Sequence, residues 1–206
     1  MRPICFYLFF MLFYSRMKKR VYVVHGWSGK PDGGWRAWFK KELEARGHEV
    51  HLLAMPEPDT PRIETWVPFL MSEIKYFDEH TVLVGHSMGC QAIMRFLEKI
   101  PEGMRVGKVI LVAWFTERVT GMDTAEEVII MRPWIETPID FLKVKRSARE
   151  IVAFFSDNDR YIPLENEKAM KEKLGARTII EHARGHYGDK NSVTEVPTIL
   201  DAVIRD

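Results

Sequence analysis

The chain has 206 residues, 46% of them hydrophobic and 29% charged, with a formal net charge of +1. That is the make-up of one ordinary globular domain, long enough to bury a full core. There is no charge surplus to draw it to nucleic acid. Two cysteines, Cys5 and Cys90, are too few for a disulfide framework, so a reducing cytoplasm fits best.

The N-terminus is unusual. Ile4 to Tyr14 is a continuous apolar run, too short to span a bilayer, so stable membrane insertion is not expected. It also makes a poor signal peptide: only Arg2 precedes it, and the basic Arg16-Met17-Lys18-Lys19-Arg20 stands on the wrong side. Met17 is the expected start of a single domain over residues 17–206, with residues 1–16 an appendage. A membrane-associating segment is the alternative.

From Val21 the pattern becomes regular. Val21-Tyr22-Val23-Val24 reads as a buried strand ending at His25-Gly26, followed by a glycine-rich loop to Gly34. Trp35, Trp38, Phe39 and Leu43 mark one face of a helix that stops at Gly47. Val50 to Leu53 is a second strand, and Pro56, Pro58 and Pro61 make a loop at its end. A helical stripe runs from Ile63 to Phe77, and Pro68 within it should kink the helix or delay its start. Strands follow at Thr81–Val84, Val109–Val112, Ile151–Phe155 and Arg177–Ile180. Helices are expected after Ser87, over Pro163–Leu174 before Gly175, and over Val193–Ile204 with Pro197 in the first turn. Between Ala113 and Arg149 the pattern loosens, with room for two short helices; Lys143, Lys145, Arg146 and Arg149 read as a solvated face. Near-continuous apolar strands alternating with helices imply a parallel sheet covered on both faces.

The chain is organised around Gly85-His86-Ser87-Met88-Gly89, set between a buried strand and an amphipathic helix. Strand, sharp turn and helix is the context in which G-x-S-x-G carries a nucleophile. The turn should be so tight that side chains two before and two after Ser87 would collide, hence the flanking glycines. It should also aim the Met88 N–H at a developing oxyanion, with the Trp27 N–H as second donor and Ser28 next in line.

A serine hydroxyl is a poor nucleophile until an imidazole accepts its proton and a carboxylate orients that imidazole. Both partners should lie in loops at the carboxyl ends of strands. Strand five ends in Ser156-Asp157-Asn158-Asp159, and strand six leads to His182-Ala183-Arg184-Gly185-His186. Asp159, four residues before Pro163, is favoured as the acid with Asp157 the alternative, and His186 is favoured over His182. His86 is expected to bond locally and His25 to order the first loop. His48, His51 and His80 carry no signal. Metal-ligand and phosphate-binding spacings are missing, and no cofactor is expected.

These residues together resemble the YdeN-like small serine hydrolases, a branch of the α/β-hydrolases. The resemblance rests on Val21 to Gly26, Trp35 to Leu43, Arg46 to Val50, Gly85 to Gly89, Ser156 to Asp159 with Pro163, and Gly185-His186. It implies an α/β-hydrolase fold, a three-layer sandwich with a six-stranded parallel sheet and little or no lid, and a triad of Ser87, Asp159 and His186. It also implies carboxylester hydrolysis. The L-x-C-x-E partner motif of an animal relative is absent, so retinoblastoma-type binding is not carried over. Tyrosine stands at position 187, where relatives often carry phenylalanine.

The expected activity is therefore hydrolysis of small soluble acyl esters through an acyl-enzyme. Amide or thioester hydrolysis by the same triad is one alternative; a partner-binding protein with a vestigial site is the other. Trp114, Phe115, Met122, Met131 and Trp134 are candidate acyl-pocket wall, or else packing for the connector.

Overall fold

The computed structural model describes residues 18–116, 118–188 and 192–205; the apolar segment before Met17 lies outside them. Six strands form the sheet: β1 (Arg20–Val24), β2 (Glu49–Leu53), β3 (Thr81–His86), β4 (Val106–Val112), β5 (Ala148–Ser156) and β6 (Arg177–Glu181). All pair in parallel, in the order β2-β1-β3-β4-β5-β6. Among the described residues seven helices accompany them: α1 (Trp35–Glu44), α2 (Ile63–Glu73), α3 (Met88–Leu97), α4 (Ala125–Glu136), α5 (Phe141–Arg146), α6 (Glu165–Leu174) and α7 (Pro197–Ile204). α1 and α7 pack together on one side, while α2, α3, α5 and α6 make a second contacting set. The result is the expected three-layer α/β architecture.

Burial follows composition. Every residue of β3 is buried, and so is every residue of α3, the helix it feeds. A strand covered on both faces needs apolar residues at successive positions rather than alternating ones, which Thr81-Val82-Leu83-Val84 supplies. α7 is tied to the sheet by two buried lysines. Lys19 Nζ donates to the Val203 carbonyl at 2.8 Å and Lys108 Nζ to that of Ala202 at 2.9 Å, satisfying the carbonyls that the helix end leaves open.

Two details differ from the sequence expectation. Pro68 neither delays nor ends α2, which starts at Ile63 and runs through it to Glu73. Pro68 and Glu64 are both exposed, so the carbonyl that loses its helical donor faces water. The last helix begins at Pro197 rather than Val193, with the proline in its first turn, where no N–H is needed. The basic Lys143, Lys145, Arg146 and Arg149 are all exposed, the solvated face that the sequence suggests. Among the described residues no helix is long and apolar enough to cross a membrane.

The strand order reverses between β1 and β3: β2 lies to one side of β1, and β3 and all later strands lie to the other. In open parallel sheets the crevice at the carboxyl ends of two such strands is where ligands bind. Val24 pairs with Gly85 across this junction, so the loop starting at Gly26 and the turn at Ser87 leave the sheet side by side.

Candidate active site

Ser87 occupies the turn between β3 and α3 with φ 53° and ψ −118°, a strained conformation for a non-glycine residue. Its N–H donates to the Val112 carbonyl at 2.8 Å, and its own carbonyl accepts from Cys90 N–H at 2.9 Å. The flanking glycines are required, though not because they would strike one another. A Cβ on Gly85 would lie 2.8 Å from the Cys90 nitrogen. One on Gly89 would lie 2.6 Å from the His25 carbonyl oxygen and closer still to that of Val24. The elbow is thus wedged against the end of β1. The Cys90 thiol is buried, which pushes its pKa up and leaves it an unreactive core group.

The structure brings Ser87, Asp159 and His186 together. Ser87 Oγ lies 2.9 Å from His186 Nε2. His186 Nδ1 lies 2.8 Å from Asp159 Oδ2 and 3.1 Å from Oδ1. The Asp159 side chain is 1% exposed and accepts two further bonds, from the Tyr161 N–H at 2.8 Å and the Ile162 N–H at 3.1 Å. With Nδ1 donating to the carboxylate, Nε2 is left as the acceptor for the serine hydroxyl proton. The Tyr161 ring meets the imidazole edge-on, with centroids 5.0 Å apart.

The other candidates divide cleanly. Asp157 points to the surface. It pairs with His182 at 2.5 Å and accepts the Ala183 N–H at 2.8 Å, two bonds that lower its pKa. His182, 90% exposed, makes no approach to the serine. His25 donates from Nδ1 to the Gly26 carbonyl at 2.8 Å and accepts the Met55 N–H on Nε2 at 3.2 Å; burial lowers its pKa. It thereby orders the first loop in its neutral form. His86 is buried and bonds to the carbonyl of His186 itself, 2.7 Å away.

The loop after β1 supplies the second side of the crevice. Ser28 N–H is already bound to the Pro58 carbonyl at 2.8 Å, and Gly29 N–H to that of Gly26 at 3.1 Å. Among the described residues, the N–H groups of Trp27 and Met88 have no such partner. The proline-rich stretch is a hub of acceptors for this region. The Pro56 carbonyl takes the Trp66 Nε1–H, that of Pro58 takes Ser28, and that of Pro61 takes the Trp134 Nε1–H.

Above the serine lies a cavity of about 590 Å³, within the range of small-ligand sites. The candidate wall residues split. Phe115, Met122 and Met131 line it, together with Val119, Ile130 and Ile162. Trp114 packs on Phe141, and Trp134 lies edge-on to Trp66, so these two anchor the connector instead. α4 and the loop before it form the wall; among the described residues no separate cap domain covers the crevice.

The sequence reading missed Asn158 and the indole of Trp35. Asn158 Oδ1 accepts the Gly185 N–H at 2.7 Å, and Trp35 Nε1–H donates to the Tyr187 carbonyl at 3.1 Å. Both contacts join segments far apart in the chain, and no local pattern signals them.

A six-stranded parallel sheet with a strained serine turn at the carboxyl end of its third strand defines the α/β-hydrolase class. Within it the chain belongs to the serine hydrolase family, whose model matches residues 21–205. It is 30% identical over 187 residues to YdeN of Bacillus subtilis strain 168, described as a hydrolase; the match spans 91% of this chain and 95% of that protein. It is also 30% identical over 155 residues to the serine hydrolase RBBP9 of Rattus norvegicus, spanning 75% and 78% of the two chains. The crystal structure of the Bacillus subtilis ydeN product superposes with a TM-score of 0.82 at 29% identity, covering 90% of this chain and 97% of that one.

Proposed function

We propose that the protein is a carboxylesterase that cleaves small acyl esters through Ser87, His186 and Asp159. The observation that carries the reading is the continuous relay from Ser87 Oγ through both ring nitrogens of His186 to the buried Asp159 carboxylate. His186 Nε2 takes the hydroxyl proton as Oγ bonds to the ester carbonyl carbon, and Asp159 stabilises the imidazolium that results. The carbonyl electrons move onto oxygen, where Trp27 N–H and Met88 N–H hold the charge. Met88 is the first residue of a wholly buried helix, so its N–H acts with the helix dipole. His186 then returns the proton to the departing alkoxide. Water, deprotonated by the same imidazole, releases the acid and restores Ser87 Oγ–H.

The wall of Phe115, Met122 and Met131 suits an apolar acyl chain. A cavity of about 590 Å³ leaves room for chains longer than acetyl. The test is turnover of p-nitrophenyl esters of increasing acyl length by the wild type and by Ser87→Ala, with fluorophosphonate labelling alongside. The expected result is an optimum beyond acetyl, with turnover and labelling both lost in the variant. A folded wild type that neither turns over esters nor labels would refute the proposal. Labelling without ester turnover would move the substrate to an amide or thioester.

A further inference from the structure

We propose that His86 and Asn158 are positioning residues for His186, gripping the main chain of its loop from the elbow and from the segment after β5 so that the ring meets Ser87 and Asp159 together. This rests on the hydrolytic roles proposed above for those three residues.

The loop after β6 is not one that its own sequence would hold in shape. Ala183, Gly185 and Tyr187 all have positive φ, at 55°, 53° and 53°. For the two non-glycine residues such a backbone is strained and persists only where its surroundings over-determine it. The surroundings here are a side-chain ladder. Four consecutive residues at the end of β5 bond to four consecutive residues of the loop. Asp157 Oδ1 accepts the Ala183 N–H at 2.8 Å, and Ser156 Oγ accepts the Arg184 N–H at 2.9 Å. Asn158 Oδ1 accepts the Gly185 N–H at 2.7 Å, and Asp159 takes the His186 ring. Asn158 also receives the Ser156 hydroxyl at 2.8 Å, which locks one rung to the next. Its amide oxygen is therefore the last main-chain anchor before the imidazole.

The elbow supplies the second grip. A carbonyl only accepts, so His86 Nε2 must carry the proton in its 2.7 Å bond to the His186 oxygen. The ring is buried beside Trp35, with centroids 6.4 Å apart, and it lies 5.1 Å from the His186 ring. Burial and the neighbouring His186 push its pKa well down, so His86 stays neutral. That neutrality suits its place, since a second cation there would oppose the imidazolium that must form on His186. The donor sits one residue before the nucleophile and its acceptor belongs to the base. The bond thus ties the two reacting side chains through their backbones, independently of the hydrogen bond between them.

The test compares kcat, KM, fluorophosphonate labelling rate and melting temperature of His86→Leu, His86→Gln, Asn158→Ala and Asn158→Asp. Displacing a reacting group by about 1 Å costs up to about 10²-fold, so His86→Leu and Asn158→Ala should each lower kcat and the labelling rate by roughly 10- to 100-fold, with KM within about twofold. Gln keeps an N–H donor and Asp keeps an acceptor oxygen, and both should recover most of the lost rate. Asn158 stands at the surface, so its truncation opens no core cavity to confuse the result. Folded Leu and Ala variants with kcat near wild type would overturn the proposal, as would Gln and Asp variants no faster than Leu and Ala. If His86→Leu does not fold, the Asn158 pair decides by the same criterion. Survival of turnover in Ser87→Ala would instead refute the assignment of the nucleophile, a failure distinct from this one.

Discussion

Gly89→Ala is the sharpest test of how the elbow is held. The added Cβ would sit 2.6 Å from the His25 carbonyl oxygen, where ordinary contact begins near 3.4 Å. The Val24 carbonyl would be closer still. Relief needs a separation of about 0.8 Å or more between the start of α3 and the end of β1, and close packing leaves neither backbone free space to yield. Overpacking of this kind costs about 1–3 kcal/mol. For a domain of this size that lowers Tm by roughly 4–8 °C at the middle of the range. The same displacement moves Met88 N–H away from Trp27 N–H, because one begins α3 and the other follows β1. Losing the reach of one oxyanion donor lowers kcat by about 10²–10³. The assay is kcat on a p-nitrophenyl ester beside thermal unfolding, with Gly47→Ala as control. Gly47 has φ +85° and nothing within 4 Å of the methyl that the substitution adds, so that change should strain the backbone while leaving kcat intact. A Gly89→Ala protein that melts within about 2 °C of wild type and keeps kcat within threefold would refute the reasoning.

Two further outcomes are expected. Asp159→Asn should lower kcat by about 10⁴, as loss of the orienting carboxylate does in a triad, because the amide can present its NH₂ to the imidazole and favour the wrong tautomer. Asp157→Asn retains the oxygen that accepts Ala183 N–H, and its partner His182 lies in solvent, so kcat should stay within about threefold; equal losses in the two variants would overturn the choice of acid. Stability should fall as pH drops below about 6.5, the ordinary histidine value. Burial lowers the folded-state pKa of His25 and His86, so in the window below about 6.5 the unfolded chain binds more protons and unfolding becomes easier. Thermal melts from about pH 7 to about pH 5 should show a shallower decline for His86→Gln than for wild type, and identical slopes would show that His86 charges freely in the folded protein.

The elements that sequence reading located are those held by short-range pattern. β1, β3 and the elbow are legible because a buried parallel strand needs successive apolar residues and the turn after it needs glycine where backbones touch. α6 ends at Gly175 as read, since the αL position at a helix end is a local demand. Pro68 shows the limit: whether a proline breaks a helix depends on which carbonyl it orphans and whether water reaches it, and that is decided by the face the helix buries.

At the site, residue type and chain order were enough to bring forward Ser87, two acids and two histidines. Tertiary structure separated them. Asp157 and Asp159 differ by two positions in sequence, yet one faces solvent and the other is 1% exposed beneath His186. The aromatic and methionine residues of the connector were alike as composition; only packing sent Trp114 and Trp134 to the core and Phe115, Met122 and Met131 to the cavity. His86 and the His186 carbonyl lie 100 residues apart, and Asn158 and Gly185 lie 27 apart. Hydrophobic periodicity and turn chemistry act between neighbours in the chain, so the sequence alone determines the strands, the elbow and the kinds of group available. Which of those groups share a proton depends on strand order and loop path, and only the folded sheet decides that.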